Sequence, residues 1–324
     1  MFVTKYRKIW FSLSALLLAV SIFSIVRYGF NLSIDFKGGT LTEVSYEGAT
    51  LTPEALNNKI EGLKLGGFSV RPSGTNHYII RTKELNQEES NALSKLLGST
   101  GQVTIERQNT VGPIAGSELK SKAVKAIAVV ILLIVLFVTF AFRRVSRPVS
   151  SWKYGLATII ALAHDVVIPL GVFVFLGHFF GYEIDLLFVT GLLAILGYSV
   201  HDTIVVFDRV RENLRLKSGS VPFEETVGKS VTQTFGRSIN TSLTIFITLL
   251  ALYLFGSHAT QEFSLLLIVG IIVGTYSSIF VASPLLVTFK KFKKNKKKTR
   301  RVSDHHGGKL VTHTHTELLE SSPE

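Results

Sequence analysis

Six long apolar runs decide what this chain can fold into. They lie near residues 9–27, 121–142, 154–177, 184–207, 238–256 and 263–288. Each is long enough to cross a hydrocarbon core of about 30 Å as a helix. Only helices or closed barrels satisfy the backbone in lipid, and helices are the natural reading of runs this long. The composition agrees, with 47% hydrophobic residues and only 18% charged. The first run follows Lys5, Arg7 and Lys8 and resembles a signal peptide, but it is long enough to span. The stretch "RYGFNLSIDF" after it lacks a small-residue cleavage site, so it reads as a retained helix. Pro169 and Pro284 fall inside spans, where neighbouring helices tolerate them. Gly270 and Gly274 form a small-xxx-small pair that predicts close helix packing.

The net charge of +12 invites a nucleic-acid-binding function, but its distribution argues otherwise, placing the excess beside the membrane where anionic lipid or ribosomal RNA could attract it. The run "KKFKKNKKKTRR" (290–301) holds nine positive charges, whereas residues 30–118 hold eight Lys/Arg against ten Asp/Glu, a net of −2. No nucleic acid is expected; the basic run suits anionic membrane lipids and a cytoplasmic topology anchor. Lys and Arg number three in residues 1–8, four in 143–153 and six in 208–237, and none occur in the links "GHFFGYEID" and "GSHATQE". Both termini are therefore expected in the cytoplasm and residues 30–118 outside. There are no cysteines, which removes disulfides and thiolate metal sites.

The outside segment alternates between strand and helix patterns. "GGTLTEVSYEG" has strand period, and "TPEALNNKIEGLK" starts a helix with Thr52 as cap and Pro53 in the first turn. "FSVRPSGTNHYIIRTK" gives two strands around a turn, "NQEESNALSKLLGS" a second helix and "QVTIERQNTV" a last strand. The order β-α-β-β-α-β predicts a ferredoxin-like fold. No catalytic set gathers in it, so no enzymatic activity is expected. The Gly38–Gly39 pair allows a tight bend or a close backbone approach. The expected division is thus residues 1–29 with the first helix, 30–118 as an α+β domain, 119–289 as helices two to six, and 290–324 as a disordered basic tail.

Two spans contain a His-Asp dipeptide, His164–Asp165 and His201–Asp202, and Arg237 enters the fifth span at a depth similar to Asp202. Three readings compete. Asp202 and Arg237 form a static ion pair; the four dipeptide side chains bind a metal, although further ligands are lacking; or the carboxylates change protonation and drive a conformational cycle, the default for ionisable groups inside a membrane. His201 adds a group that titrates near neutrality.

The stretches "IDFKGGT", "VGPIAGSEL", "ALAHDV", "GYSVHDTIVVFDRVREN", "TQTFGRSINTS" and "GTYSSIFVASP" resemble the motif series of the SecF family, a subunit of the bacterial SecDF protein-translocation complex. The order and spacing hold over about residues 9–288. The resemblance implies membership of the RND superfamily and an inner-membrane location. It implies a SecD partner with six more helices, association with the SecYEG translocon and YajC, and preprotein export driven by the proton gradient without a cofactor. It makes Asp202 and Arg237 the functional carboxylate and arginine of the proton path, with His201, Asp165 and His164 beside them. An RND-type exporter of lipids or small amphiphiles is the alternative.

Overall fold

The computed structural model describes residues 2–47, 52–73, 76–143, 150–216 and 221–290. Apart from Lys290, the basic tail lies outside the described residues.

A single turn, α1 (Phe2–Lys5), leads into the first spanning helix α2 (Arg7–Tyr28), which ends at Gly29 with φ +69°. The buried residues of α2 are Ser14, Ser21 and Ser24, so its seam is small and polar rather than bulky. Water-driven burial does not press helices together in lipid, and close backbone approach takes its place. Ser21 fills the space where a Cβ on Gly171 would sit.

A short helix α3 (Ile34–Lys37), capped by Ser33, precedes β1 (Gly39–Tyr46). There follow α4 (Pro53–Glu61), β2 (Phe68–Pro72), β3 (His77–Thr82), α5 (Gln87–Ser99) and β4 (Val103–Val111). The sheet is antiparallel with strand order β2-β3-β1-β4, the expected ferredoxin-like arrangement. The caps are those the sequence marks. Thr52 Oγ1 accepts from Ala55 N, and Asn86 and Glu89 close a reciprocal capping box at α5. Val44, Tyr78 and Ile80 on one sheet face close over Leu56, Ile60, Leu93 and Leu97 from the two helices.

The glycine pair takes both roles expected of it. Gly38 and Gly39 have φ of +79° and +130°, and a Cβ on either would lie 2.8 Å from Pro113 Cα or 2.6 Å from the Thr82 carbonyl oxygen. The chain thus folds back tightly at the point where the domain meets the next spanning helix.

That helix, α6 (Pro113–Ala141), starts directly after β4, inside the segment assigned to the domain. Then come α7 (Ser151–Phe180), α8 (Leu186–Leu216), α9 (Phe223–Phe255) and α10 (His258–Ser277), the last carried on to Lys290. All six expected spans are present, and α8 and α9 overrun their apolar runs at the end away from the domain. Helices α7, α8 and α10 form the centre of the bundle, and α2, α6 and α9 are largely exposed. Gly270 lies against Ile195 and Gly274 against Ser199, which is the close α8–α10 packing expected of this pair. Residues Ser278–Ala282 of the last span form a π turn. Pro284 follows it. Proline has no N–H for the usual helical bond and its ring crowds the preceding turn, and a wider turn relieves both.

Candidate functional site

The polar groups inside the bundle gather around two carboxylates. Asp165 of α7 is fully buried. Its Oδ1 lies 3.0 Å from Nδ1 of His164, and its Oδ2 accepts from Ser277 Oγ at 2.8 Å and from Ser199 Oγ. One carboxylate therefore joins the three central helices. The network continues through Ser278, whose Oγ lies 2.7 Å from Thr203 Oγ1 and donates to the Ser199 carbonyl at 3.2 Å. Ser277 and Ser278 stand at the entry to the π turn, so the irregular backbone of α10 is tied directly to Asp165. Such turns inside helices often mark functional positions. The His164 ring stacks on Tyr276 at 5.9 Å, and Tyr276 donates to the Trp10 carbonyl and takes a hydrogen bond from Ser14.

Asp202 of α8 is buried, and its Oδ1 accepts from Ser238 Oγ of α9 at 2.5 Å. Its Oδ2 is buried without a hydrogen-bond partner among the described residues. Ser242 donates to the Ser238 carbonyl and reaches Thr275 and Tyr198, which extends this second network towards α10.

The static pair between Asp202 and Arg237 is not formed: Asp202 Oδ2 has no partner, and Arg237 is exposed on the chain's outer surface. Consecutive helical residues point about 100° apart, so turning Ser238 towards Asp202 turns Arg237 away. His201 is likewise exposed while its neighbour Asp202 is buried. The structure therefore brings His164 and Asp165 together, holds Asp202 one helix away, and sends His201 and Arg237 outward. Among the described residues no three His, Asp or Glu side chains gather as a metal site. The serines that bind the carboxylates, Ser199, Ser238 and Ser277, were not singled out from the sequence. Their signal was present in the polar stretches "GYSVHD", "GRSINTS" and "GTYSS" at membrane depth.

On the outer face of α9, Arg237, Asn240, Thr241, Thr244 and Thr248 form one exposed row at helical spacing. Among the described residues, six helices long and apolar enough to span, with a ferredoxin-like domain inserted after the first, define a multi-pass membrane protein.

The family model "Protein export membrane protein SecD/SecF, C-terminal" matches residues 92–292, and the "SecD/SecF GG Motif" model matches residues 23–50, around Gly38 and Gly39. The chain belongs to the SecD/SecF family of protein export membrane proteins. It is 40% identical over 303 residues to the protein translocase subunit SecF of Thermobaculum terrenum, covering 89% of this chain and 93% of that one. The protein translocase subunit SecDF of Thermus thermophilus is 36% identical over 295 residues, with 89% of this chain matching 38% of that longer one. The crystal structure of SecDF from Thermus thermophilus superposes with a TM-score of 0.79 at 36% identity, covering 89% of this chain and 38% of that one. SecDF in a super-membrane-facing form gives a TM-score of 0.63 at 35% identity, covering 93% and 40%.

Proposed function

We propose that the chain acts as a SecF-like subunit of the Sec protein translocase, paired with SecD, and couples the proton gradient to preprotein export. The observation that carries this reading is the state of Asp202: a buried carboxylate with one oxygen held by Ser238 and the other unpartnered. A buried carboxylate is stable only with a proton, a counter-charge or full hydrogen bonding, so this one is suited to gaining and losing a proton. The exposed row containing Arg237 and Asn240 supports a facing bundle, because such groups are costly against lipid. SecDF relatives, of which this chain matches 38%, have length for that second bundle in the same polypeptide. Arg237 then approaches the proton path from the interface, with His201 beside it, and His164–Asp165 forms a second station tied to α10. No cofactor or enzymatic step enters. SecYEG and YajC are the assembly partners that this role brings. The α+β domain packs a core of its own between sheet and helices, and the likeness to SecF and SecDF translocase subunits favours this reading over an exporter.

The reading is tested in vesicles that contain the Sec translocase and SecD. Adding this chain should make preprotein translocation respond to a proton gradient, and an unchanged gradient response would refute it. We further assign the α+β domain to the outer side of the bacterial inner membrane and both termini to the cytoplasm. Because the chain has no cysteine, His77→Cys and Leu216→Cys report cleanly. An impermeant thiol reagent on spheroplasts should label the first and spare the second; the reverse pattern inverts the topology.

A further inference from the structure

The α+β domain is not joined to the bundle by its two chain connections alone. The link between α7 and α8, residues 181–185, is stitched to it along its whole length. Ser33 N donates to the Ile184 carbonyl at 3.0 Å, and Ile184 N donates to the Asn31 carbonyl at 2.8 Å. Arg71 donates to the Gly181 carbonyl at 2.9 Å, and Asp35 accepts from Leu186 N at 3.0 Å. The centre of the seam is an ion pair between Arg81 Nε of β3 and Glu183 Oε1, 2.8 Å apart, with side chains only 16% and 10% exposed.

Behind this pair is a cavity shared by domain and bundle. Asp35, Glu43, Arg81 and Arg107 line it from the domain, and Glu183, Asp185 and Glu262 from the bundle. Five carboxylates therefore face two guanidinium groups. Arg71 and Lys37 also act on Glu183, and Tyr182 and Tyr253 stand on the Glu262 side. Burial pushes the Glu183 carboxyl above its usual range, and Arg81 pulls it part of the way back. Burial also raises Asp185, the hydrogen bond from Phe188 N lowers it, and Asp35 raises it further. The excess of carboxylates is relieved when the cavity takes up a proton, and it is restored as repulsion when that proton leaves.

We propose that this junction is a proton-responsive clasp: the seated domain shares a proton among Glu183, Asp185 and Glu262, and giving it up loosens the domain on the bundle. The sign follows from linkage. The Glu183 and Asp185 carboxyls, raised in the seated state, bind protons more tightly there, so seating strengthens as pH falls and weakens as pH rises through their raised range. This device lies at the opposite end of the spanning helices from the α8–α9 loop, and it goes beyond the proton path through Asp202.

Paired spin labels test the proposal on the full chain in its membrane complex. One label goes on the domain at Lys95→Cys and one on the bundle at Leu254→Cys, both exposed. Double electron–electron resonance should give one narrow distance at pH 5.5 and a broader distribution at pH 8.5. Glu262→Gln and Asp185→Asn, the latter still able to cap α8, should keep the distribution narrow at both pH values. Glu183→Gln removes the partner of Arg81 and should broaden it at both. A wild-type distribution that does not change with pH overturns the clasp. So does a pH response of full size in both Glu262→Gln and Asp185→Asn. The readout is a distance within one chain, so it holds whether or not translocation proves to be proton-driven.

Discussion

Asp202→Asn is expected to assemble with SecD in normal yield and to lose gradient-driven translocation. The amide oxygen of Asn takes over the hydrogen bond from Ser238, and the side chain keeps its shape, so the α8–α9 contact survives. The charge change is what disappears. If a static pair with Arg237 were the purpose of Asp202, Asn would strand a buried guanidinium, at a cost of roughly 3–5 kcal/mol. Asp202 is held by Ser238 rather than by Arg237, and Asn keeps that bond, so damage to assembly is not expected. The measurement is preprotein translocation in vesicles under an imposed proton gradient, with complex yield followed in parallel. Full activity from a well-assembled Asp202→Asn complex would remove this residue from the proton path. Arg237→Lys is the companion variant: Lys retains the charge but not the planar fork, and partial activity is expected.

Asp165→Ala is expected to be the more destructive change. Its loss leaves Ser199, Ser277 and His164 buried at the crossing of three helices without their shared acceptor. Ser277 can still donate to the Gly274 carbonyl, but each buried polar group left unpaired costs about 1–3 kcal/mol, and the losses at Ser199 and His164 fall on the central helices of the bundle. The complex should show a large drop in melting temperature and yield in detergent. Asp165→Asn separates structure from protonation, because its oxygen accepts from the serines and its amide donates to His164. Asn is expected to restore most of the stability; an inactive but stable Asn variant would place Asp165 in the proton cycle. A wild-type melting temperature for Asp165→Ala would show that the three-helix junction does not depend on this carboxylate.

The spans and the domain were legible because each rests on local pattern. Apolar runs give helices in lipid, and Thr52, Asn86 and Glu89 mark helix starts by side-chain chemistry confined to a few residues. The ferredoxin-like strand order followed from the sequence of elements alone. The site was legible in its residues but not in its pairing. Depth along the helix axis placed Arg237 level with Asp202, but depth says nothing about rotation around that axis, and rotation gave the contact to Ser238. The π turn was equally hidden: Pro284 announces a disturbance, while its form depends on Ser277 and Ser278 finding Asp165 and Thr203. Helix α3 was missed because four residues, Ile34–Lys37, are too few to show a period. The seam between domain and bundle is tertiary throughout, joining Arg81 to Glu183 across a hundred residues of chain.

Helices α8 and α9 have 31 and 33 residues and run well past the apolar core at the end opposite the domain. There Asn213 bonds to Ser230 at 2.8 Å and Gln233 accepts from both Asn213 and Arg209, so the two helices are braced as one rod. Such a rod is a lever. Ser199, packed against Gly274, is a natural fulcrum; Asp202 is about 4.5 Å along the axis from it and Leu216 about 25 Å at 1.5 Å per residue. A tilt about that point displaces the tip roughly sixfold further than it displaces Asp202. A shift at the carboxylate too small to open a gap in the bundle thus becomes a swing of several ångströms on the far side of the membrane.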